Sequence, residues 1–198
     1  MKDKDISDVS LKIAVYCSAA ESLPETWVEA AAQLGCWIGN AGATLVYGGV
    51  DAGLMRVLAR SVKLSGNGRI IGVVPMLRSD KASPLNDVEI PAEGLADRKV
   101  NMYLMSDVFV VLPGGYGTLD EMMSTLAYLN FNDIHGKKIL VYNPDGVYDA
   151  LISQFRKMID FGLMQPRSLE RLTVLDKMDD IIEILAEQKQ LMTEHDQK

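Results

Sequence analysis

The chain of 198 residues is poor in cysteine, histidine and aromatic residues, and it has no long apolar run. Its two cysteines, Cys17 and Cys36, fall at no metal-ligand spacing and stand in apolar stretches of sequence. That predicts free, buried thiols in a reducing compartment rather than a disulfide framework. The longest apolar run, 108–112, is strand-sized and far short of the ~18 residues of a membrane span. The opening residues, MKDKDISDVS, are polar, with no apolar core of a signal peptide behind them. A cytoplasmic protein with no membrane partner is the expectation. Positive charge is scarce as well. Twenty Lys and Arg against 27 Asp and Glu leave a formal charge of −7 and a pI of 4.9, the opposite of a nucleic-acid footprint. A small anion is not excluded, because a local nest of backbone N–H groups holds phosphate against the global field.

What is present is an ordinary globular composition, 48% apolar and 24% charged. A domain of this length buries roughly 70% of its unfolded surface, so it needs neither disulfides nor a structural metal. The reading is one domain over 1–198, with frayed tails over 1–10 and 191–198. Continuous apolar runs at 12–17, 44–47, 70–74, 108–112, 138–142 and 172–175 read as parallel strands covered on both faces. Amphipathic stretches at 24–40, 53–64, 95–105, 119–130, 147–161 and 178–190 lie between them. Strand–helix alternation predicts an α/β class: a doubly wound, Rossmann-like parallel sheet flanked by helices. Such sheets bind ligands where the strand-to-helix loops converge at the carboxyl ends of the strands.

Two of those loops are rich in glycine. One reads Tyr47-Gly48-Gly49-Val50-Asp51-Ala52-Gly53, the other Leu112-Pro113-Gly114-Gly115-Tyr116-Gly117-Thr118. Glycine permits close approach of backbone to a ligand, and the N–H groups of the helix that follows favour an anion, usually phosphate. Neither loop has a Walker or a dinucleotide-fingerprint spacing. Two readings stay open for Glu121. Thr118-x-x-Glu121 fits a capping box, in which the carboxylate only reaches back to a backbone N–H; alternatively the carboxylate faces a bound ligand. The histidines, His135 and His195, are solitary, and the methionines Met102, Met105, Met122 and Met123 read as core or dimer surface.

Arg98-Lys99-x-x-Met102 followed by Pro113-Gly114-Gly115-Tyr116-Gly117-Thr118-Leu119-Asp120-Glu121, the PGGxGTxxE pattern, resembles the "Lonely guy" (LOG) family. These are cytokinin riboside 5′-monophosphate phosphoribohydrolases, long labelled lysine decarboxylases. The similarity runs from Val15-Tyr16-Cys17-Ser18 to the Phe161-Gly162 region. It implies a Rossmann-like homodimer that hydrolyses the N-glycosidic bond of a nucleoside 5′-monophosphate to free base and ribose 5-phosphate, without metal or cofactor. Residue by residue, it implies that Gly114, Gly115, Gly117 and Thr118 hold the phosphate and that Arg98 and Glu121 are the catalytic pair. Gly48, Gly49, Ser18 and Lys99 complete the implied phosphate- and ribose-binding set. The sequence departs from the family at Val50 and Arg56, where glycines are usual, at Cys17-Ser18-Ala19-Ala20, at Leu95 and at Tyr128-Leu129-Asn130.

The chemistry suits those residue types. Cleaving a ribosyl–base bond builds positive charge on the sugar, which a carboxylate stabilises while orienting or deprotonating the attacking water. Arginine is a poor proton donor, so Arg98 would bind an anion, orient Glu121 or offset charge on the departing base. The alternative is a non-catalytic carrier of a nucleotide or of a phosphorylated cofactor of the molybdenum-cofactor type. Single-stranded DNA binding conflicts with the acidic charge, and no lysine is marked for the Schiff base a decarboxylase would need.

Overall fold

The computed structural model describes residues 10–195. The remaining tail positions, 1–9 and 196–198, lie outside the described residues. The chain folds as β1 (Lys12–Tyr16), α1 (Glu25–Asn40), β2 (Thr44–Tyr47), α2 (Gly53–Ser65), β3 (Arg69–Pro75), β4 (Val88–Ala92), α3 (Leu95–Leu104), β5 (Val108–Val111), α4 (Tyr116–Phe131), β6 (Ile139–Tyr142), α5 (Asp149–Asp160), α6 (Pro166–Leu169), β7 (Leu172–Leu175) and α7 (Met178–His195). All seven strands are parallel, in the order β4-β3-β2-β1-β5-β6-β7. This is the expected doubly wound sheet.

The inner strands β1, β2, β5 and β6 are mostly apolar because both faces are covered, whereas the edge strands β4 and β7 are partly exposed. Ile13 and Val15 point into a core with α1, α2 and α7. Their neighbours Ala14 and Tyr16 point into a second core with α3, α4 and α5. Both cores alternate in this way across the sheet, as the two-residue period of a strand demands.

Three expectations are corrected. β4 went unrecognised because Val88-Glu89-Ile90-Pro91-Ala92 alternates and carries a proline. It is an edge strand, paired only with β3 from Ile71↔Val88 to Pro75↔Ala92, where proline is tolerated. Cys17 is buried as expected, but Cys36 is exposed; both thiols are free. Its neighbours Leu34 and Ile38 turn into the core, and the helical period turns Cys36 outward. Residues 191–195 continue α7 rather than forming a tail. No helix among the described residues is long and apolar enough to cross a membrane.

The chain moves outward from β1 to β4, then returns to lay β5 on the other side of β1. The crossovers therefore change direction between β1 and β5, and the crevice at the carboxyl ends of these two strands is where such sheets bind ligands.

Candidate active site

A cavity of about 500 Å³ opens at that crevice, a size suited to a nucleotide-sized ligand. Its floor includes Val15 and Cys17 from the end of β1. Its walls come from Ser18–Ala20 after β1, Gly48 after β2, and Gly115–Thr118 after β5. Arg98 and Lys99 enter from α3, and Asp120 and Glu121 from α4.

α4 begins at Tyr116, with Gly115 in extended conformation as the N-cap and no side-chain cap. The first intrahelical bond runs from Leu119 N to Gly115 O, 3.0 Å, so the N–H groups of residues 116–118 have no helical acceptor. Together with the helix dipole they favour an anion. Gly115 and Gly117 have open space where a side chain would stand, whereas a Cβ on Gly114 would overlap Thr118 Oγ1. Gly114 thus lets the loop close on Thr118, and the other two glycines leave room for a ligand.

The helix start decides the two readings of Glu121. With Gly115 as cap, Thr118 lies inside the first turn and Glu121 in the second, so the capping box is not formed. Instead Glu121 Oε1 meets Arg98 Nη1 at 2.7 Å, with both side chains largely buried. Arg98 is no free surface arginine: its Nε also donates to Val73 O, 3.1 Å. Behind Glu121, Tyr16 and Thr125 hydroxyls lie 2.8 Å apart, and Thr125 Oγ1 donates to the Glu121 carbonyl, 2.9 Å. β1 thereby pins α4 at Thr125, one turn beyond Glu121. The next pair along, Lys99 with Asp120, bonds at 2.6 and 2.7 Å across the cavity mouth. Adjacent helical residues diverge, so the two carboxylates engage separate cations rather than each other.

Burial raises the Glu121 pKa above its ordinary 4.5, and the pull of Arg98 opposes that only in part. Burial, reinforced by the Glu121 charge, likewise pushes the Cys17 thiol upward. Cys17 is therefore a neutral packing group in the cavity floor, not a thiolate.

Of the expected site residues, Ser18, Gly48, Arg98, Lys99, Gly115, Gly117, Thr118 and Glu121 line the one cavity. Gly114 does not line it and packs against the Thr118 side chain. Gly49 does not line it; its φ of +71° and its close approach to the Gly72 backbone make it a structural glycine. Gly48 is needed for a different reason. A Cβ there would overlap Arg98 Nη2 and stand 2.9 Å from Met55 Sδ. Met55, Leu95, Tyr116 and Asp120 also line the cavity and were not singled out as site residues. Tyr116 and Asp120 sit inside the glycine motif, which was the available signal. Met102 and Met122 are core; Met123 is partly exposed. His135 is exposed and lies 3.4 Å from Asp133. A second hollow of about 440 Å³, beside Trp37, Ala41 and Lys189, lies between α1 and α7. Its Lys189 ammonium is already committed to the Ala41 carbonyl.

A doubly wound sheet with a glycine loop at a helix N-terminus and a buried arginine–glutamate pair in the cavity at its switch point defines a Rossmann-like protein with its cavity where such sheets bind ligands. The family model described as "Possible lysine decarboxylase" matches residues 55–185. The cytokinin riboside 5′-monophosphate phosphoribohydrolase of Mycobacterium tuberculosis is 35% identical over 88% of this chain and 92% of its own. An Arabidopsis thaliana protein of the same name is 30% identical over 89% and 82%. Among solved structures, the molybdenum cofactor binding protein of Rippkaea orientalis is 26% identical, with a TM-score of 0.68 over 90% of this chain and 96% of that one. The Chlamydomonas reinhardtii molybdenum cofactor carrier protein, 22% identical with a TM-score of 0.68, shows the shared fold. The chain belongs to the cytokinin riboside 5′-monophosphate phosphoribohydrolase (LOG) family.

Proposed function

We propose that this cavity hydrolyses the N-glycosidic bond of a nucleoside 5′-monophosphate, AMP or an N6-substituted AMP of the cytokinin type, to free base and ribose 5-phosphate. The observation that carries the reading is the buried Arg98–Glu121 pair beside the Gly114–Thr118 loop. The loop would hold the 5′-phosphate, with Ser18, Gly48 and Lys99 around phosphate and ribose. Binding energy from this non-reacting end would position the sugar. As the bond from C1′ to the base nitrogen breaks, its electron pair leaves with the base. Glu121, ionised, would stabilise the positive charge left on the ribose and accept a proton from the attacking water. Arg98, tied to Glu121 and Val73, would hold that carboxylate in place and keep it ionised despite its burial.

The test is a panel of nucleoside 5′-monophosphates assayed for free base and ribose 5-phosphate; both products should form from AMP or an N6-substituted AMP in equal amounts. The carrier alternative is favoured by one observation, the likeness to the Rippkaea orientalis protein. It leaves the Arg98–Glu121 pair without a task, and it predicts that bound nucleotide is recovered intact.

We also propose a cytoplasmic homodimer without a nucleic-acid partner. The acidic charge and free thiols support the compartment and the absence of a nucleic-acid partner. α3 and α4 support the dimer: Leu95, Leu104, Tyr116, Met123 and Phe131 are exposed there, an apolar surface suited to a two-fold partner. Light scattering should give twice the 21.8 kDa of one chain. A 21.8 kDa species alone at micromolar concentration would contradict it.

A further inference from the structure

Beyond the arginine–glutamate pair, one charged cluster at the cavity rim has no part in the chemistry so far. Arg56, in the first turn of α2, uses all three of its guanidinium nitrogens. Nη1 and Nη2 form a fork on Glu21, at 2.8 Å to Oε2 and 3.1 Å to Oε1. On the other side Nε donates to Asp51 Oδ1 at 3.2 Å and Nη2 to the Asp51 carbonyl at 2.7 Å. Glu21 belongs to the loop after β1, and Asp51 to the loop after β2. One side chain therefore ties together two loops that each supply a wall of the cavity.

The loop after β1 is fastened at its base, and Ala20 N donates to Ser18 Oγ, 3.1 Å, within it. Ser18 N donates to Pro113 O, 3.1 Å, and Leu54 N donates to Ser18 O, 3.0 Å. Ala19 and Ala20 lie against Gly53, where a Cβ would stand 2.6 Å from the Ala19 carbonyl carbon and the Ala20 oxygen. Past Ala20 the chain is exposed through Ser22. Glu21 is the next residue held: its carboxylate takes the Arg56 fork and a hydrogen bond from the Gly53 backbone N–H. Ser18, Ala19 and Ala20 line the cavity while Arg56 does not.

We propose that Arg56 is a positioning residue for ligand binding: by clamping Glu21 to Asp51 it holds the Ser18–Ala20 wall against the bound nucleotide. The inference rests on the nucleoside monophosphate reading of the cavity. A fork of this kind fixes geometry better than a lysine would, because the planar guanidinium sets two bonds at once. Glu21 is exposed and Arg56 and Asp51 are partly so, and ion pairs open to solvent in this way add little to global stability. Loss of the cluster should therefore appear in binding and not in melting.

The experiment measures AMP affinity by calorimetry, KM and kcat by product release, and melting temperature for wild type, Arg56→Ala, Glu21→Ala, the double variant and Arg56→Lys. Each single alanine variant should weaken AMP affinity and raise KM about fivefold. kcat should stay within about twofold and melting temperature near wild type. The double variant should be no worse than either single one, since both break the same contact, and Arg56→Lys should recover only part of the affinity. Wild-type AMP affinity in Arg56→Ala, or effects of the two alanine changes that simply add, would overturn the clamp. A wild-type protein that binds no AMP would instead overturn the nucleotide reading, and the clamp with it.

Discussion

Replacing Glu121 by glutamine should lower AMP hydrolysis at least about a hundredfold while AMP still binds. The substitution keeps the shape and one acceptor for Arg98, but it removes the negative charge and the base. A preorganised electrostatic group of this kind is typically worth about 3–4 kcal/mol in the transition state. The fold should tolerate the change, because Glu121 caps nothing: α4 starts at Gly115 and the side chain points to Arg98. The pH dependence carries the same signature. Burial raises the folded-state pKa of Glu121 above 4.5, so the acid limb of kcat should lie above that value and disappear with the carboxylate. In stability the sign runs the other way. A carboxyl whose pKa is raised by folding contributes stability that is present below pH 4.5 and is lost as pH rises through the raised value. Glu121→Gln should remove that slope. Its melting temperature should match wild type most closely on the acid side and change least with pH. Kinetics, AMP calorimetry and melting on this one variant check all three points; wild-type turnover would show that the carboxylate takes no part in hydrolysis.

Gly48→Ala should be nearly as damaging, for a reason visible only in three dimensions. The new methyl group would occupy the place of Arg98 Nη2. Arg98 is held by Val73 and Glu121, so it would have to abandon one of them. A displacement of about 1 Å at a positioning group costs on the order of a hundredfold in rate. Glu121, deprived of its partner, would then titrate at still higher pH, because burial would go unopposed. The expected result is a loss of kcat/KM of about a hundredfold together with an acid limb moved to higher pH. A Gly48→Ala enzyme with wild-type kcat/KM would show that the position of Arg98 does not matter.

The fold was legible where one physical signal dominated. Inner parallel strands buried on both faces are apolar, so β1, β2, β3, β5 and β6 stand out as apolar runs; β7, an edge strand with Val174 exposed, was legible because three of its four residues are apolar. β4 escaped because an edge strand needs less burial and tolerates Pro91. Cys36 misled because apolar neighbours in sequence are not neighbours on a helix face. At the site, the glycine loop was legible as a strand-to-helix loop, and it does open α4 with Gly115 as its N-cap. The role of Glu121 was not legible, since the same four residues spell a capping box if the helix begins later. Only the start of α4 at Tyr116 removes that ambiguity. The Arg56 fork joins residues 35 apart in sequence and follows no motif, so nothing in the chain announces it. Gly49 shows the converse: it stands in a ligand-loop pattern but serves backbone packing.

The proposed chemistry is cleavage of the bond between ribose and base in a phosphorylated nucleoside. Its most direct test mixes wild-type protein in excess over AMP and follows adenine, ribose 5-phosphate and remaining AMP through a single turnover, with adenosine run in parallel. Adenine and ribose 5-phosphate should appear in one-to-one amount as AMP disappears, and adenine should be released far more slowly from adenosine, which lacks the anchoring phosphate. AMP bound tightly and recovered intact, or adenosine cleaved as fast as AMP at subsaturating concentration, would contradict that chemistry.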